Sequence, residues 1–104
     1  MKKIFIVDDD QATRMQYQAE FTSGGYEVIA SSDCKGFIKT IVRHQPDLII
    51  LHIKTGRVHE LKTLEELRNN GYEMPVILST EYLSLEMVKN LLQQIKKSHE
   101  IRLG

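Results

Sequence analysis

Cysteine is almost absent from this chain, since Cys34 is the only one among 104 residues. A single thiol excludes an internal disulfide and argues against a cysteine-rich metal site. Net charge is absent as well, because Lys+Arg and Asp+Glu both number 14 and the pI is near 6.9. A chain with this balance has no electrostatic reason to bind nucleic acid or an anionic membrane surface. We therefore expect neither as a partner.

Long apolar runs are also lacking. The start MKKIFIVDDD places two lysines before an apolar run, but that run covers only residues 4–7 and ends in three aspartates, which is too short for a signal peptide. No stretch approaches the roughly 20 apolar residues that span a bilayer. Hydrophobic residues make up 41% and charged residues 27% of the chain. We expect one soluble, cytoplasmic domain over residues 1–104.

Short apolar runs alternate with segments of helical spacing. The runs are KIFIV (3–7), YEVIA (26–30), DLIILHI (47–53) and PVILST (75–80). Helical spacing is found at 11–24, 34–44, 60–70 and from 85 to about 101. Alternation of this kind predicts an α/β fold with a parallel sheet, helices on both faces and right-handed crossovers.

The residues that follow each predicted strand are the candidates for function, because ligands of such sheets bind beyond the carboxyl ends of the strands. Asp8, Asp9 and Asp10 follow the first strand, His52 ends the third and Thr80 ends the fourth. Two interpretations of the aspartates stay open. Asp8 and Asp9 are suitable Mg²⁺ ligands, whereas Asp10 is well placed to cap the next helix.

Four segments, KKIFIVDDDQATR, GGYEV, PDLIILHI and MPVILST, resemble in this order the receiver domain of two-component response regulators. The resemblance covers residues 2–80 and implies a flavodoxin-like (CheY-like) three-layer sandwich. It also implies that Asp8 and Asp9 match the acidic pair that holds Mg²⁺ in the family. Thr80 matches the switch hydroxyl, which closes on the phosphoryl group.

The sequence departs from the family pattern at two places. His52 stands at the position of the phospho-accepting aspartate, and Glu81 and Tyr82 stand where a Lys-Pro pair would be expected. The chain runs from Thr80 almost directly into a helix that resembles the family's last one. We therefore expect a truncated sheet of order 2-1-3-4 that lacks the usual fourth helix, the fifth strand and the phosphate-binding lysine. An exposed fourth strand favours a homodimer through that edge and the final helix.

These departures predict an atypical receiver, a pseudo-receiver, that is not an enzyme and is not phosphorylated on aspartate. We expect it to bind a protein partner of a signalling pathway or a second copy of itself. His52 is interpreted as an ion-pair or hydrogen-bond partner of Asp8 and Asp9. No cofactor is expected, with Mg²⁺ at the two aspartates as a weaker alternative, and Lys54 is a weak substitute for the missing lysine.

Two alternative functions stay open from the sequence. In the first, the domain still accepts a phosphoryl group on an unusual residue, for which His52 has a suitable nitrogen. In the second, the protein is a small metal-binding domain in which Asp8, Asp9 and His52 hold Zn²⁺ or a similar ion, because imidazole suits such metals better than it suits Mg²⁺.

Overall fold

A computed structural model describes residues 2–53, 59–94 and 100–103 of the chain. Its strands are β1 (Lys3–Val7), β2 (Glu27–Ser31), β3 (Leu48–His52), β4 (Val76–Ser79) and β5 (Glu100–Leu103). Its helices are α1 (Gln11–Ser23), α2 (Phe37–His44), α3 (His59–Asn69) and α4 (Leu85–Gln94). Among the residues described, no helix has the length and apolar character needed to cross a membrane.

All five strands are parallel and lie in the order β2-β1-β3-β4-β5. The register places Val7 beside Leu51 and Leu51 beside Leu78, so that β1, β3 and β4 end at nearly the same level. Nearly every residue of these three strands is buried, as is typical of parallel sheets covered on both faces. The carboxyl ends of the strands therefore form one edge, where the candidate residues meet.

The prediction of a four-stranded sheet without a fifth strand is wrong. Helix α4 ends at Gln94, and residues 100–103 form β5 beside β4. The sequence prediction extended the helical spacing of α4 as far as Ile101, but Ile101 and Leu103 alternate with Glu100 and Arg102 in the two-residue period of a strand. Since β4 is paired on both sides, the exposed β4 edge on which the expected homodimer depended does not exist in this chain.

Helices cover the two faces of the sheet with separate apolar clusters. On one face, α2 and α3 contribute Phe37, Ile41, Leu64 and Leu67, which pack on the odd-numbered residues of β1 and β3. On the other face, α1 and α4 contribute Tyr17, Phe21 and Val88, which pack on the even-numbered residues of the same strands. Val42 and Leu61, apolar residues within the segments predicted as helices, are 54% and 36% exposed.

The connection from β4 to β5 has an unusual hand. The chain moves in one direction across the sheet from β1 to β2 and in the opposite direction from β2 to β3, from β3 to β4 and from β4 to β5. Helix α1 covers one face, and α2 and α3 cover the other. The first three connections therefore have the same, right-handed sense. Helix α4 lies on the same face as α1. The connection through α4, from β4 to β5, nevertheless crosses the sheet in the same direction as the connection through α3, from β3 to β4. The β4–α4–β5 crossover is therefore left-handed, a departure from the expected pattern and a rare arrangement in proteins.

Candidate functional site

Asp8 is fixed in place directly after β1. Its side chain is buried, with 6% of the residue exposed, and its N–H donates to the Ser31 carbonyl at 3.0 Å. Its Oδ1 accepts a hydrogen bond from the Asp10 N–H at 2.9 Å, and its carbonyl accepts one from Arg14 Nη1 at 2.7 Å. One carboxylate oxygen is thus engaged with the backbone, which leaves Oδ2 to face β3.

His52 faces that second oxygen. Its Nδ1 lies 3.8 Å from Asp8 Oδ2, which is too long for a hydrogen bond and is an ion-pair contact when the imidazole is protonated. Ligand atoms of Asp8, Asp9 and His52 all lie within 4.8 Å of one another. The structure therefore brings together the three residues that the sequence singled out at the ends of β1 and β3.

Asp10 has a different role from its two neighbours. It is the N-cap of α1, and its Oδ2 accepts hydrogen bonds from the Thr13 hydroxyl at 2.6 Å and from the Thr13 N–H at 2.9 Å. These two bonds hold the pKa of the Asp10 carboxyl below its ordinary value. The prediction that Asp10 caps the helix is confirmed.

Two hydroxyl residues follow one another at the end of β4. Thr80, the predicted switch hydroxyl, is exposed, and its N–H donates to the Leu103 carbonyl of β5 at 3.1 Å. Ser79 is buried and in register with His52; its Oγ donates to the Glu81 carbonyl at 2.7 Å and accepts from the Glu81 N–H at 3.1 Å. Sequence reasoning missed Ser79, although aligning the runs of β3 and β4 side by side would have found it. Lys54 lies outside the described residues.

A polar cluster between α1 and the β4–α4 loop was also missed. The rings of Tyr17 and Tyr82 are 4.5 Å apart, and Tyr17 Oη accepts a hydrogen bond from the buried Leu83 N–H at 2.9 Å. Tyr82 Oη donates to one carboxylate oxygen of Glu20 at 2.5 Å, and the Leu85 N–H at the start of α4 donates to the other. Glu81 and Tyr82, which stand where the resemblance expects a Lys-Pro pair, lie in this loop between β4 and α4.

The pKa values in this cluster follow from its contacts. Burial raises the pKa of Tyr17 to about 12, against a smaller opposing effect of the Leu83 hydrogen bond. Burial also raises the pKa of Tyr82, and its hydrogen bond to Glu20 adds to that effect. The hydrogen bonds from Tyr82 and Leu85 hold the pKa of Glu20 below its ordinary value. At neutral pH an ionised carboxylate therefore accepts from two neutral donors and ties α1 to the loop.

A comparison with known families gives this arrangement its context. Residues 4–97 match the family described as the response regulator receiver domain. The chain belongs to this family. Receiver domains are signalling domains that bind Mg²⁺ at an acidic site, and this chain has a cluster of Asp8, Asp9 and His52.

Individual relatives support the assignment over part of their length. The alkaline phosphatase synthesis transcriptional regulatory protein PhoP of Bacillus subtilis is 32% identical over 81 residues, 76% of this chain and 33% of that protein. The regulator of RpoS of Escherichia coli is 34% identical over 77 residues, 74% of this chain and 23% of that protein. The chain spans about a third or less of these curated relatives.

Solved structures support the fold. The response regulator TrrA of Thermotoga maritima, solved in complex with Mg²⁺–BeF, superposes with a TM-score of 0.68 at 24% identity and covers 98% of this chain and 86% of that one. At this level of identity the likeness shows the fold alone. It is consistent with the five-stranded flavodoxin-like sheet described above.

Proposed function

We propose that this receiver domain signals without phosphorylation on aspartate, and that it acts by binding another protein of a signalling pathway or a second copy of itself. The observation that carries the proposal is the contact between His52 Nδ1 and Asp8 Oδ2, 3.8 Å apart. Formation of a phosphoaspartate needs a carboxylate nucleophile, and this chain has an imidazole at position 52, which the resemblance to receiver domains matches to that nucleophile.

The surroundings of His52 support a structural role for it. Asp8 is buried and uses one oxygen for the Asp10 N–H, so its negative charge needs a positive neighbour on the other side. A protonated His52 would supply that charge from its Nδ1, 3.8 Å from Asp8 Oδ2. Thr80 is exposed and its N–H is bonded to β5, which holds the backbone at the predicted switch position.

Intact-mass measurement tests the proposal. The protein is incubated with acetyl phosphate and Mg²⁺ and its mass is recorded at neutral pH, because acyl phosphates and phosphohistidine are unstable in acid. We expect no phosphoryl adduct, while a receiver domain with an aspartate at this position is labelled in the same reaction as a reagent control. An adduct on the wild-type chain would contradict the proposal. Its loss in His52→Ala would then assign it to the imidazole, the first alternative above.

Metal binding is a second candidate function, and the grouping of Asp8, Asp9 and His52 within 4.8 Å favours it. Two carboxylates and one imidazole fit Zn²⁺ or a similar ion better than they fit Mg²⁺, which prefers oxygen ligands alone. In such a site Asp8 and Asp9 would each offer a carboxylate oxygen and His52 a ring nitrogen. The ion would take over the charge balance that His52 provides when protonated.

Thermal unfolding with Zn²⁺ or Mg²⁺ present separates the two candidates, because an ion that binds only the folded chain raises the melting temperature. A metal-binding domain would be stabilised by Zn²⁺, would lose that effect in His52→Ala and would shift its preference toward Mg²⁺ in His52→Asp. Glu66→Gln removes an exposed carboxylate from α3 and is the matched control. A melting temperature that neither ion changes would rule out the metal-binding function.

A further inference from the structure

Strand β5 is attached to the domain at one side only. It has four residues, and it pairs with β4 at the edge of the sheet. All four of its side chains are at least partly exposed. Its contacts beyond the ladder include the packing of Leu103 against the α1–α4 cluster, the hydrogen bond from the Thr80 N–H to the Leu103 carbonyl and the hydrogen bond that Glu100 Oε1 accepts from Arg68 Nε of α3 at 3.1 Å.

Strand β4 requires a cover along this side. All four of its residues are buried, and three of them are Val76, Ile77 and Leu78. Without a neighbouring strand, an apolar strand with unpaired N–H and carbonyl groups is prone to edge-to-edge pairing with other chains and to aggregation. The β5 strand of this sequence covers that side as a parallel strand in one register, with the Arg68–Glu100 pair beside the ladder.

The way β5 reaches this position within one chain is unfavourable. The left-handed β4–α4–β5 crossover opposes the twist that makes almost all such connections right-handed. That rule applies only when both strands belong to the same chain and the same sheet. If β5 pairs with the β4 strand of another molecule, the contacts of β5 stay the same and the left-handed crossover disappears.

We infer that two copies of this chain exchange their β5 strands, so that each β5 pairs with the partner's β4 strand. The exchange is reciprocal and closes a two-fold dimer. It replaces the expected dimer through an exposed β4 edge with one in which that edge is always covered. The inference goes beyond the proposed function and holds whether or not the domain is phosphorylated.

The Arg68–Glu100 pair provides a test by charge reversal. In Arg68→Glu both positions carry negative charge, and in Glu100→Arg both carry positive charge, so each variant repels its own β5. In a mixed dimer with exchanged strands, each β5 meets the opposite charge on the other variant. Both pairs are then restored at once. In a mixture without exchange, neither pair is restored.

Sedimentation velocity and native mass spectrometry measure the outcome. We expect the wild type to form a species of twice 12.0 kDa at high micromolar concentration. Mixing the two variants should give a mixed dimer at roughly fivefold or greater excess over each homodimer, as expected when partly exposed ion pairs replace like-charge contacts. A wild type that stays at 12.0 kDa, or a mixed dimer at no more than its statistical share, would overturn the inference.

Because Arg68 also donates to the Tyr72 and Met74 carbonyls, Arg68→Glu carries a risk of misfolding, and a pair of proline variants keeps the test decisive. The Thr80–Leu103 hydrogen bond shows that the backbone groups of Leu103, and by alternation those of Ile101, face β4, whereas those of Arg102 face away. Ile101→Pro should abolish the dimer and Arg102→Pro should keep it. Dimers in both variants, or in neither, would count against exchange. Circular dichroism confirms that each variant is folded.

Discussion

The two faces of the sheet differ in the kind of contact that holds them. On the face covered by α2 and α3 the packing is mainly apolar, with Phe5 and Phe37 stacked at 5.5 Å, and Arg68 of α3 adds polar contacts with Glu100 and with the Tyr72 and Met74 carbonyls. The face covered by α1 and α4 adds polar contacts, namely those of Tyr17 and Glu20 with the β4–α4 loop. Asp8 and His52 continue the even-numbered rows of β1 and β3 and so belong to this second face as well. The difference indicates that α2 and α3 are held to the sheet mainly by apolar packing, whereas polar contacts also tie α1 to the β4–α4 loop.

The largest effect should come from a cavity on the apolar face. Leu67 is fully buried between α3 and the sheet, and Leu67→Ala should lower the free energy of unfolding by about 2–5 kcal/mol through lost apolar contacts and an unfilled space. Urea denaturation followed by circular dichroism measures this change.

Leu61 on the same helix is the matched control. It is 36% exposed, so Leu61→Ala should cost about 1 kcal/mol or less. Equal losses at the two positions would show that α3 is not packed on the sheet through Leu67.

The polar face should respond to removal of a single oxygen. Tyr17→Phe keeps the ring contacts with Phe21 and Tyr82 but leaves the buried Leu83 N–H without its acceptor. We expect a loss of about 1–3 kcal/mol in the free energy of unfolding, the usual cost of an unsatisfied buried donor. Hydrogen exchange at the Leu83 amide should become faster in the same variant.

Tyr26→Phe is the control for this substitution, because Tyr26 also packs its ring on Phe21 and is only partly buried. Its effect should stay within about 0.5 kcal/mol. A loss in Tyr17→Phe no greater than that in Tyr26→Phe would mean that the hydroxyl of Tyr17 does not support the β4–α4 loop.

Most helices and strands were predictable because the spacing of apolar residues along the sequence indicates which side chains are buried. The runs at β1, β3 and β4 are nearly continuous in apolar residues, and Tyr17 and Phe21 are spaced for one helix face, so the first four strands and the first three helices fell close to their observed bounds. Strand β5 was missed because its four residues follow a helix without a glycine or proline to mark the change of period. The side of the sheet on which α4 packs has no local signal in the sequence.

The site was predictable in part for a similar reason. Asp8, Asp9 and His52 each follow or end an apolar run, and in a parallel sheet such positions meet at one edge. Ser79 was passed over because it precedes Thr80, the residue predicted as the switch hydroxyl, and only the register of β3 and β4 puts Ser79 beside His52. The Glu20 contacts join residues more than 60 positions apart in sequence, a pairing that depends on the unusual placement of α4.

The smallest predicted effect concerns pH. Because hydrogen bonds from Tyr82 and Leu85 hold the pKa of Glu20 below 4.5 in the folded chain, ionised Glu20 stabilises the fold above that pH, and the stabilisation is lost as the pH falls through the lowered value. Glu20→Gln should lower the free energy of unfolding by about 1 kcal/mol at pH 7. The gap between variant and wild type should then narrow as the pH falls below 4.5.

Urea denaturation at a series of pH values checks this, with Glu65→Gln, an exposed carboxylate on α3, as the control that should follow the wild type at every pH. A gap between Glu20→Gln and the wild type that is the same at acid and neutral pH would show that the carboxylate charge is not what holds α1 to the β4–α4 loop. Glu20 would then act through its hydrogen bonds to Tyr82 and Leu85 without a contribution from its charge.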